Sequence, residues 1–251
     1  MTQTGSGRRV RLATVVAGVG LVLGATAAIA QDISINFGQG SGLTERVIQL
    51  IALLTVLSLA PSILVMVTSF TRIIVVLSLL RTALGTATAP PNAVIVSLSL
   101  FLTAFVMGPA FQRAYDIGVR PLMNNEITPE QAFERSSEPF RGFMLKNVRE
   151  KDLALFIDLS REPRPSDPEQ ISLRILVPAF MISELKRAFE IGFLLFLPFL
   201  IIDLVIASIL MSMGMMMLPP VVVSLPFKLI FFVLVDGWSL VAGSLVQSYG
   251  L

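Results

Sequence analysis

Residues 191–213 read IGFLLFLPFLIIDLVIASILMSM, and Asp203 is the only charged side chain among them. Such a run is long enough to cross a bilayer as a helix, which needs about 20 mostly apolar residues. The rest of the chain has a similar character, because 54% of the 251 residues are hydrophobic and only 14% are charged. Soluble domains usually carry about 25% charged residues. The composition therefore predicts an all-α membrane protein.

The charged side chains are concentrated in one block in the middle of the chain. Residues 112–190 hold 25 of the 36 charged residues, and ionised side chains at bilayer depth are costly. The pattern predicts a polar helical domain, residues 112–190, between an N-terminal membrane region, residues 31–111, and a C-terminal one, residues 191–251. We expect each membrane region to hold two apolar helices or helical hairpins, about four in all.

Prolines and charges set the expected helix limits. The four apolar helices are predicted at residues 47–71, 93–109, 192–213 and 225–246. The first helix is expected to continue through a further apolar stretch, residues 73–80, which lies between Arg72 and Arg81. In the polar block, residues 128–131 (TPEQ) and 167–170 (DPEQ) each offer an N-cap, a proline at the first helical position and a glutamine at the third.

The first 30 residues have the form of a secretory signal peptide. A cluster of arginines at residues 8–11 precedes an uncharged run, residues 12–23, and Ala28 and Ala30 form an A-x-A cleavage site. An uncleaved anchor helix is the alternative, although the apolar run is short for a span.

Removal of this segment changes the charge and fixes the topology. The remaining chain has 16 basic and 17 acidic residues, so no basic surface for nucleic acid is expected. Export would place residues 112–190 on the extracytoplasmic side of the membrane. Arg72 and Arg81 would then lie inside, which agrees with the positive-inside rule.

The residue types argue against an enzyme. The sequence contains no cysteine and no histidine, which excludes disulfides, thiolate nucleophiles, Cys/His zinc sites and histidine acid–base chemistry. The motifs of P-loop NTPases, zinc proteases and serine hydrolases are also missing. We therefore expect no catalytic site, no metal and no cofactor.

Methionine is concentrated in residues 211–220 (MSMGMMMLPP), which hold five of the chain's 11 methionines. Thioether side chains are flexible and polarizable, so a ring of them from several subunits could deform around a moving chain and close behind it. Met213, Met215, Met216 and Met217 are the candidate pore-gate residues. The alternative is a lipid-buried turn filled with adaptable side chains.

A few charged residues lie in or beside the apolar runs, and such residues are functional candidates. We expect them to pair within an assembly or to cap helix ends. They are Arg72, Arg81, Asp203, Lys228 and Asp236.

Four stretches of the sequence resemble the FliP family of flagellar and virulence-type type III secretion systems. They are residues 69–81 (SFTRIIVVLSLLR), 89–92 (APPN), 189–203 (FEIGFLLFLPFLIID) and 211–238, which begins with the methionine run and ends in DGW. The resemblance implies a subunit of the flagellar export gate in the bacterial inner membrane, within the flagellar basal body.

The resemblance also implies partners and a mechanism. The subunit would form a homo-oligomer with FliQ and FliR, beside other membrane proteins of the export apparatus, and enclose a channel for unfolded flagellar subunits. A loop matching Met215 to Met217 would seal the closed pore, and much of the chain would fold as packed hairpins rather than straight spans. A structural scaffold of the basal body is one alternative, and a small-solute secondary transporter is another, although no internal repeat supports it.

Overall fold

The computed structural model describes residues 43–86, 88–160, 167, 170–215 and 217–250. The predicted signal peptide, with Ala28 and Ala30, lies outside these residues. The described part of the chain is almost entirely helical and contains no β-strand. The predicted all-α class is therefore confirmed.

Nine α-helices occur in the described residues. They are α1 (Leu43–Val67), α2 (Phe70–Leu84), α3 (Asn92–Ala114), α4 (Arg120–Met123), α5 (Pro129–Asn147), α6 (Glu150–Ser160), α7 (Leu173–Ser212), α8 (Pro220–Leu234) and α9 (Gly237–Gln247). A π-helix, Tyr115–Val119, joins α3 to α4. The chain divides into two compact units, residues 1–56 and 57–251. The described part of the first unit is helical and belongs to α1, and all packing reported below lies within the second.

Helix α2 forms the centre of the larger core. Its apolar residues recur at spacings of three and four and are almost fully buried, as in Ile73, Val76, Leu77 and Leu80, which gives the helix one continuous apolar face. The side chains packed with them come from four other helices: Ile95 of α3, Ala188 and Phe199 of α7, Phe232 of α8, and Val241 and Leu245 of α9. A second, smaller core around Met144 and Phe180 joins α5, α6 and α7.

Helix α7 is longer than the apolar run that it contains. It begins at Leu173, whereas the sequence predicted a helix from residue 192. The difference arises because lysine, arginine and glutamate are good helix formers, so the charged residues before 191 extend the helix instead of ending it. The expected boundary of the polar domain at residue 190 consequently falls inside α7.

Helix α3 also passes the expected end of its apolar run. Pro109 lies inside the helix, and the helical chain continues through the π-helix to Met123. An internal proline removes one backbone hydrogen bond, and apolar helices of membrane proteins tolerate this loss when the freed carbonyl finds another partner. The boundary at residue 112 therefore falls within a helix as well.

The predicted fourth helix, residues 225–246, is wrong in shape because it is broken into α8 and α9. The two helices meet at an angle of 63°, and Asp236 between them has a left-handed backbone with φ of 51°. A Cβ on Gly237 would lie 2.2 Å from the Phe232 ring. The Asp-Gly pair is a turn signal, and close packing of the aromatic ring on glycine keeps the corner bent.

Two helices in the described residues are long and apolar enough to cross a membrane, Asn92–Met123 and Leu173–Ser212. The bent pair α8 and α9 makes a third if it counts as one span. The sequence predicted about four. The described residues therefore contain apolar helices suited to a membrane, as predicted, but two or three of them instead of four.

The two predicted helix starts in the polar block had different outcomes. The first is confirmed, because Thr128 and Gln131 form a reciprocal capping box at the start of α5. At the second, Pro168 and Glu169 lie outside the described residues, and α7 begins later, at Leu173. Its N-cap is Ser172, whose hydroxyl accepts a hydrogen bond from the Arg174 amide at 3.3 Å.

The contact of the π-helix with α5 gives a test of this packing. A Cβ on Gly118 would lie 2.8 Å from the Ala132 carbonyl oxygen and closer still to the Ser136 hydroxyl. Gly118→Ala is therefore expected to destabilise the chain by about 1–3 kcal/mol, as overpacking typically does. Denaturant unfolding of the full chain in detergent, followed by circular dichroism, measures the change.

Gly108→Ala is the matched control, because a Cβ at this helical position meets nothing within 4 Å. It should be neutral or stabilising, by up to about 1 kcal/mol, since alanine favours a helix interior. Equal effects of the two substitutions would contradict the close approach at Gly118.

Candidate functional site

The methionine loop is a compact turn between α7 and α8. Gly214 has a φ of +73° and lies two residues after the end of α7 at Ser212. Its amide donates to the Met211 carbonyl at 3.1 Å, and the Met215 amide donates to the Leu210 carbonyl at 3.0 Å. This pair of hydrogen bonds is a Schellman motif, which requires a left-handed residue that glycine supplies at little cost. Pro220 then starts α8 at a position where the missing amide is harmless.

The loop presents thioether side chains to the surroundings rather than to the core of the chain. Met217 is 99% exposed, and Met213 and Met215 are also exposed. Met216 lies outside the described residues. Because Met213 and Met217 lie mostly outside the chain's own packing, they are available to contact lipid, a neighbouring subunit or a passing polypeptide.

One partly buried ion pair joins α7 to α8. The Lys228 ammonium donates to Asp203 Oδ2 at 2.6 Å and to the Ala83 carbonyl at 3.3 Å. The Ser224 hydroxyl donates to Asp203 Oδ1 at 2.5 Å. The side chain of Lys228 is 5% exposed and that of Asp203 is 27% exposed. The cluster therefore fixes the hairpin behind the methionine loop and links it to the end of α2.

A second, fully buried pair joins α2 to α7. Arg72 donates from Nε to Glu184 Oε2 at 3.0 Å, and a terminal guanidinium nitrogen donates to Oε1, so the contact is bidentate. The two side chains are 1% and 0% exposed. The Tyr249 hydroxyl donates to Glu184 Oε2 at 2.6 Å, and the Arg72 guanidinium lies 3.9 Å from the centre of the Tyr249 ring. Ser248 accepts a further hydrogen bond from Arg72 at 2.9 Å.

The other two charged candidates have different roles. Arg81 donates to the Asn92 side chain at 2.5 Å and to the Pro90 carbonyl at 3.3 Å, which ties the end of α2 to the turn before α3. Asp236 is exposed at the corner between α8 and α9. Among the described residues, neither makes an ion pair. The structure thus brings together Asp203 and Lys228, pairs Arg72 with another residue, and leaves Arg81 and Asp236 outside any ion pair of the described chain.

The five charged candidate residues lie within one family match. The family model described as the FliP family matches residues 53–245. The chain belongs to the FliP family. Curated relatives agree: a flagellar biosynthetic protein FliP from Caulobacter vibrioides is 61% identical over 243 residues, which is 96% of this chain and 91% of the relative. The protein of the same name from Bacillus subtilis is 54% identical over 80% of this chain and 91% of its own length.

A third curated relative agrees. The flagellar biosynthetic protein FliP of Aquifex aeolicus is 51% identical over 91% of this chain and 97% of its own length. The resemblance to the FliP family seen in four stretches of sequence is thereby confirmed over most of the chain. The chain is a member of a flagellar biosynthetic family with helices suited to a membrane.

Glu184 belongs to the buried ion pair with Arg72, but the sequence analysis did not name it as a candidate. It lies in a row of residues four apart, Leu176, Phe180, Glu184 and Ala188, all of them fully buried. Such a row forms one side of a helix. Extending the helical period of α7 toward its N-terminus would have placed this carboxylate in the apolar face. No comparable signal pointed to Tyr249.

A third polar cluster joins the polar block to α7. Arg149 makes two hydrogen bonds to Asp152, at 2.8 and 2.9 Å, and the Ser183 hydroxyl donates to Asp152 at 2.6 Å. The Arg149 guanidinium is the main reason that the pKa of Asp152 falls to about 2, and the Ser183 hydroxyl adds to the effect against the opposing influence of burial. Asp152 is therefore ionised at neutral pH and holds α6 to α7.

Among the described residues, no group of three or more histidine, cysteine, aspartate or glutamate side chains is arranged to hold a metal ion. The polar clusters instead consist of opposite charges that satisfy one another. The chemistry of these clusters is suited to fixing helices together.

Proposed function

We propose that this chain is a subunit of the flagellar type III protein export gate. In this proposal several copies assemble with FliQ and FliR, and with other membrane proteins of the export apparatus, into a channel in the bacterial inner membrane at the flagellar basal body. Unfolded flagellar subunits pass through the channel without chemical change, so the chain is not an enzyme and uses no cofactor. Flagellum assembly depends on this passage.

The observation that carries the proposal is the exposed methionine loop in a chain of a flagellar biosynthetic family. The Schellman turn at Gly214 leaves Met213, Met215 and Met217 at the surface of the chain, where they can meet neighbouring copies. Several such loops around one axis would form a soft constriction that excludes water and ions. Flexible thioethers can then adapt to different side chains of the cargo.

The apolar surface of α7 supports assembly. Phe193, Leu194, Ile201 and Leu204 are among many large apolar side chains that the single chain leaves exposed. Apolar patches of this extent occur where a protein meets lipid or a partner. Packing of hairpins from neighbouring subunits would cover part of this surface.

The topology of the proposal follows from the sequence. Residues 1–30 act as a cleaved signal peptide with Ala28 and Ala30 at the cleavage site, and residues 112–190 lie on the extracytoplasmic side. The polar block then stands outside the hydrocarbon region.

Replacing the methionines tests the gate. We expect Met213→Ala, Met215→Ala and Met217→Ala together to leave assembly intact and to make the resting membrane permeable to small ions, because the shortened side chains no longer fill the constriction. Ion leakage in cells that express the complete gate, measured with a membrane-potential dye, gives the result.

Met123→Ala is the matched control, since Met123 is also exposed but lies at the end of α4. It should leave the permeability unchanged. A loop variant that no longer assembles, with no leakage, would favour the alternative of a structural scaffold. A loop variant that assembles and leaks no more ions than the parent protein would contradict the proposed gate role of the methionines.

A further inference from the structure

An open cleft of about 940 Å³ lies between α3 and α5, where the apolar part of the chain meets the polar block. One wall is apolar and includes Val106, Pro109 and Ala110 of α3. The opposite wall belongs to α5 and carries charged side chains. The cleft is thus amphipathic. It is separate from the methionine loop and from the Asp203–Lys228 pair, whereas Tyr249, which donates to Glu184, is among its lining residues.

Positive charge exceeds negative charge in this cleft. Its lining has four cationic and two acidic side chains, an excess of two: Arg113, Arg135, Arg141 and Lys146 against Glu134 and Glu138. Arg141 donates to the Ile171 carbonyl. The other three cations are exposed and make no ion pair with a described residue. They are therefore free to bind an anion.

The apolar wall continues along α3 away from the charges. Phe101, Phe105, Pro109 and Arg113 follow one another at intervals of four residues, so each lies one turn beyond the last on neighbouring positions of the helix surface. Both phenylalanines are exposed. Arg113 is the first charged residue after the uncharged run of residues 82–112. This row is an apolar track that ends in a cation where the helix leaves its uncharged segment.

We propose that the cleft binds the headgroup of an anionic phospholipid, with the acyl chains along Phe101 and Phe105. A phosphodiester accepts charge-assisted hydrogen bonds from arginine and lysine, and basic pockets beside membrane helices bind anionic headgroups. Phosphatidylcholine offers the same acyl chains but no net negative charge, so it binds less well. The inference goes beyond export, because the lipid would anchor the α3–α5 contact whatever the methionine loop does.

A single fluorescent label in the cleft provides the test. Gly142 lines the cleft, and a Cβ there meets nothing within 4 Å. The chain has no native cysteine, so Gly142→Cys gives this chain a single labelling site. The assembled complex, isolated with its partners, is placed in phosphatidylcholine nanodiscs that contain a small fraction of spin-labelled quencher lipid. The quencher is either phosphatidylglycerol or phosphatidylcholine with the same labelled chains.

We expect half-maximal quenching of the label at a mole fraction of phosphatidylglycerol quencher at least about fivefold lower than that of phosphatidylcholine quencher. Arg135→Gln and Lys146→Gln should each weaken this preference about fivefold, the usual contribution of one cation near an anionic lipid. Lys151→Gln, an exposed cation on α6 outside the cleft, should leave the preference unchanged. A label at Gly243→Cys in α9, where a Cβ also meets nothing, should respond equally to both quenchers.

Two results would overturn the proposal. One is equal quenching by the two lipids at residue 142. The other is a photo-crosslinker at residue 142 that captures a second copy of the chain instead of lipid, which would make the cleft an interface between subunits. Neither result bears on ion leakage through the methionine loop, so the lipid site and the gate fail independently.

Discussion

Glu184→Ala is expected to destabilise the folded chain by about 3–5 kcal/mol, the usual cost of removing one partner from a buried ion pair. The substitution leaves Arg72, whose side chain is 1% exposed, with no carboxylate beside it. It also removes the closer of the two acceptors of the Tyr249 hydroxyl, which keeps only the Ser69 carbonyl at 3.4 Å. A loss of this size is a large part of the stability of most domains. Denaturant unfolding of the purified chain in detergent, together with its steady-state level in cells, measures the effect.

Two variants separate the buried charge from a general effect on α7. Glu190→Gln changes an exposed carboxylate on the same helix, whose nearest cation is Lys186 at 3.7 Å, and should alter stability by less than about 0.5 kcal/mol. The double variant Arg72→Met with Glu184→Leu should recover part of the loss, since it leaves no unpaired charge. If Glu184→Ala and Glu190→Gln had the same free energy of unfolding, the Arg72–Glu184 pair would not stabilise the fold.

Asp203→Ala is expected to have the second largest effect and to abolish flagellar assembly. The Lys228 ammonium would keep only the Ala83 carbonyl as a partner, and the hairpin of α7 and α8 would lose its main polar contact. The stability cost should fall below the about 3–5 kcal/mol of a fully buried pair, because the Asp203 side chain is 27% exposed. Swimming in soft agar, with the amount of assembled complex, reports the outcome.

Charge reversal tests whether the contact itself matters. Asp203→Lys combined with Lys228→Asp should support more swimming than either single substitution, and the coupling between the two sites is read from the double-mutant cycle. Asp236→Asn is the control, because it removes an exposed charge and asparagine tolerates the left-handed backbone at that corner. Normal assembly and swimming with Asp203→Ala would show that the Asp203–Lys228 pair is not needed for assembly.

The fold class could be predicted because it depends on local properties of the sequence. Apolar runs and the capping box at Thr128 each act over a few residues, and both appear in the structure. The limits of the helices were less predictable. A change from apolar to charged residues ends the part of a helix that can lie in lipid, but it does not end the helix, and α7 runs through such a change at residue 191.

The pairing of charges depended on tertiary structure that no short pattern specifies. Lys228 and Asp203 are 25 residues apart and could have been linked by assuming a hairpin of α7 and α8. Arg72 and Glu184 are separated by 112 residues, and their contact follows only from the packing of α2 on α7. The methionine loop was the opposite case, since its glycine and prolines are local signals that predict the turn.

The distance along the chain between Arg72 and Glu184 also imposes an order on synthesis. The arginine leaves the ribosome 112 residues ahead of the acid that neutralises it, and a lone guanidinium enters hydrocarbon only at considerable cost. Helix α2 can therefore reach its final place only after the first part of α7 has been made. Until that part of α7 is available, the guanidinium has to stay in contact with water or with another polar partner.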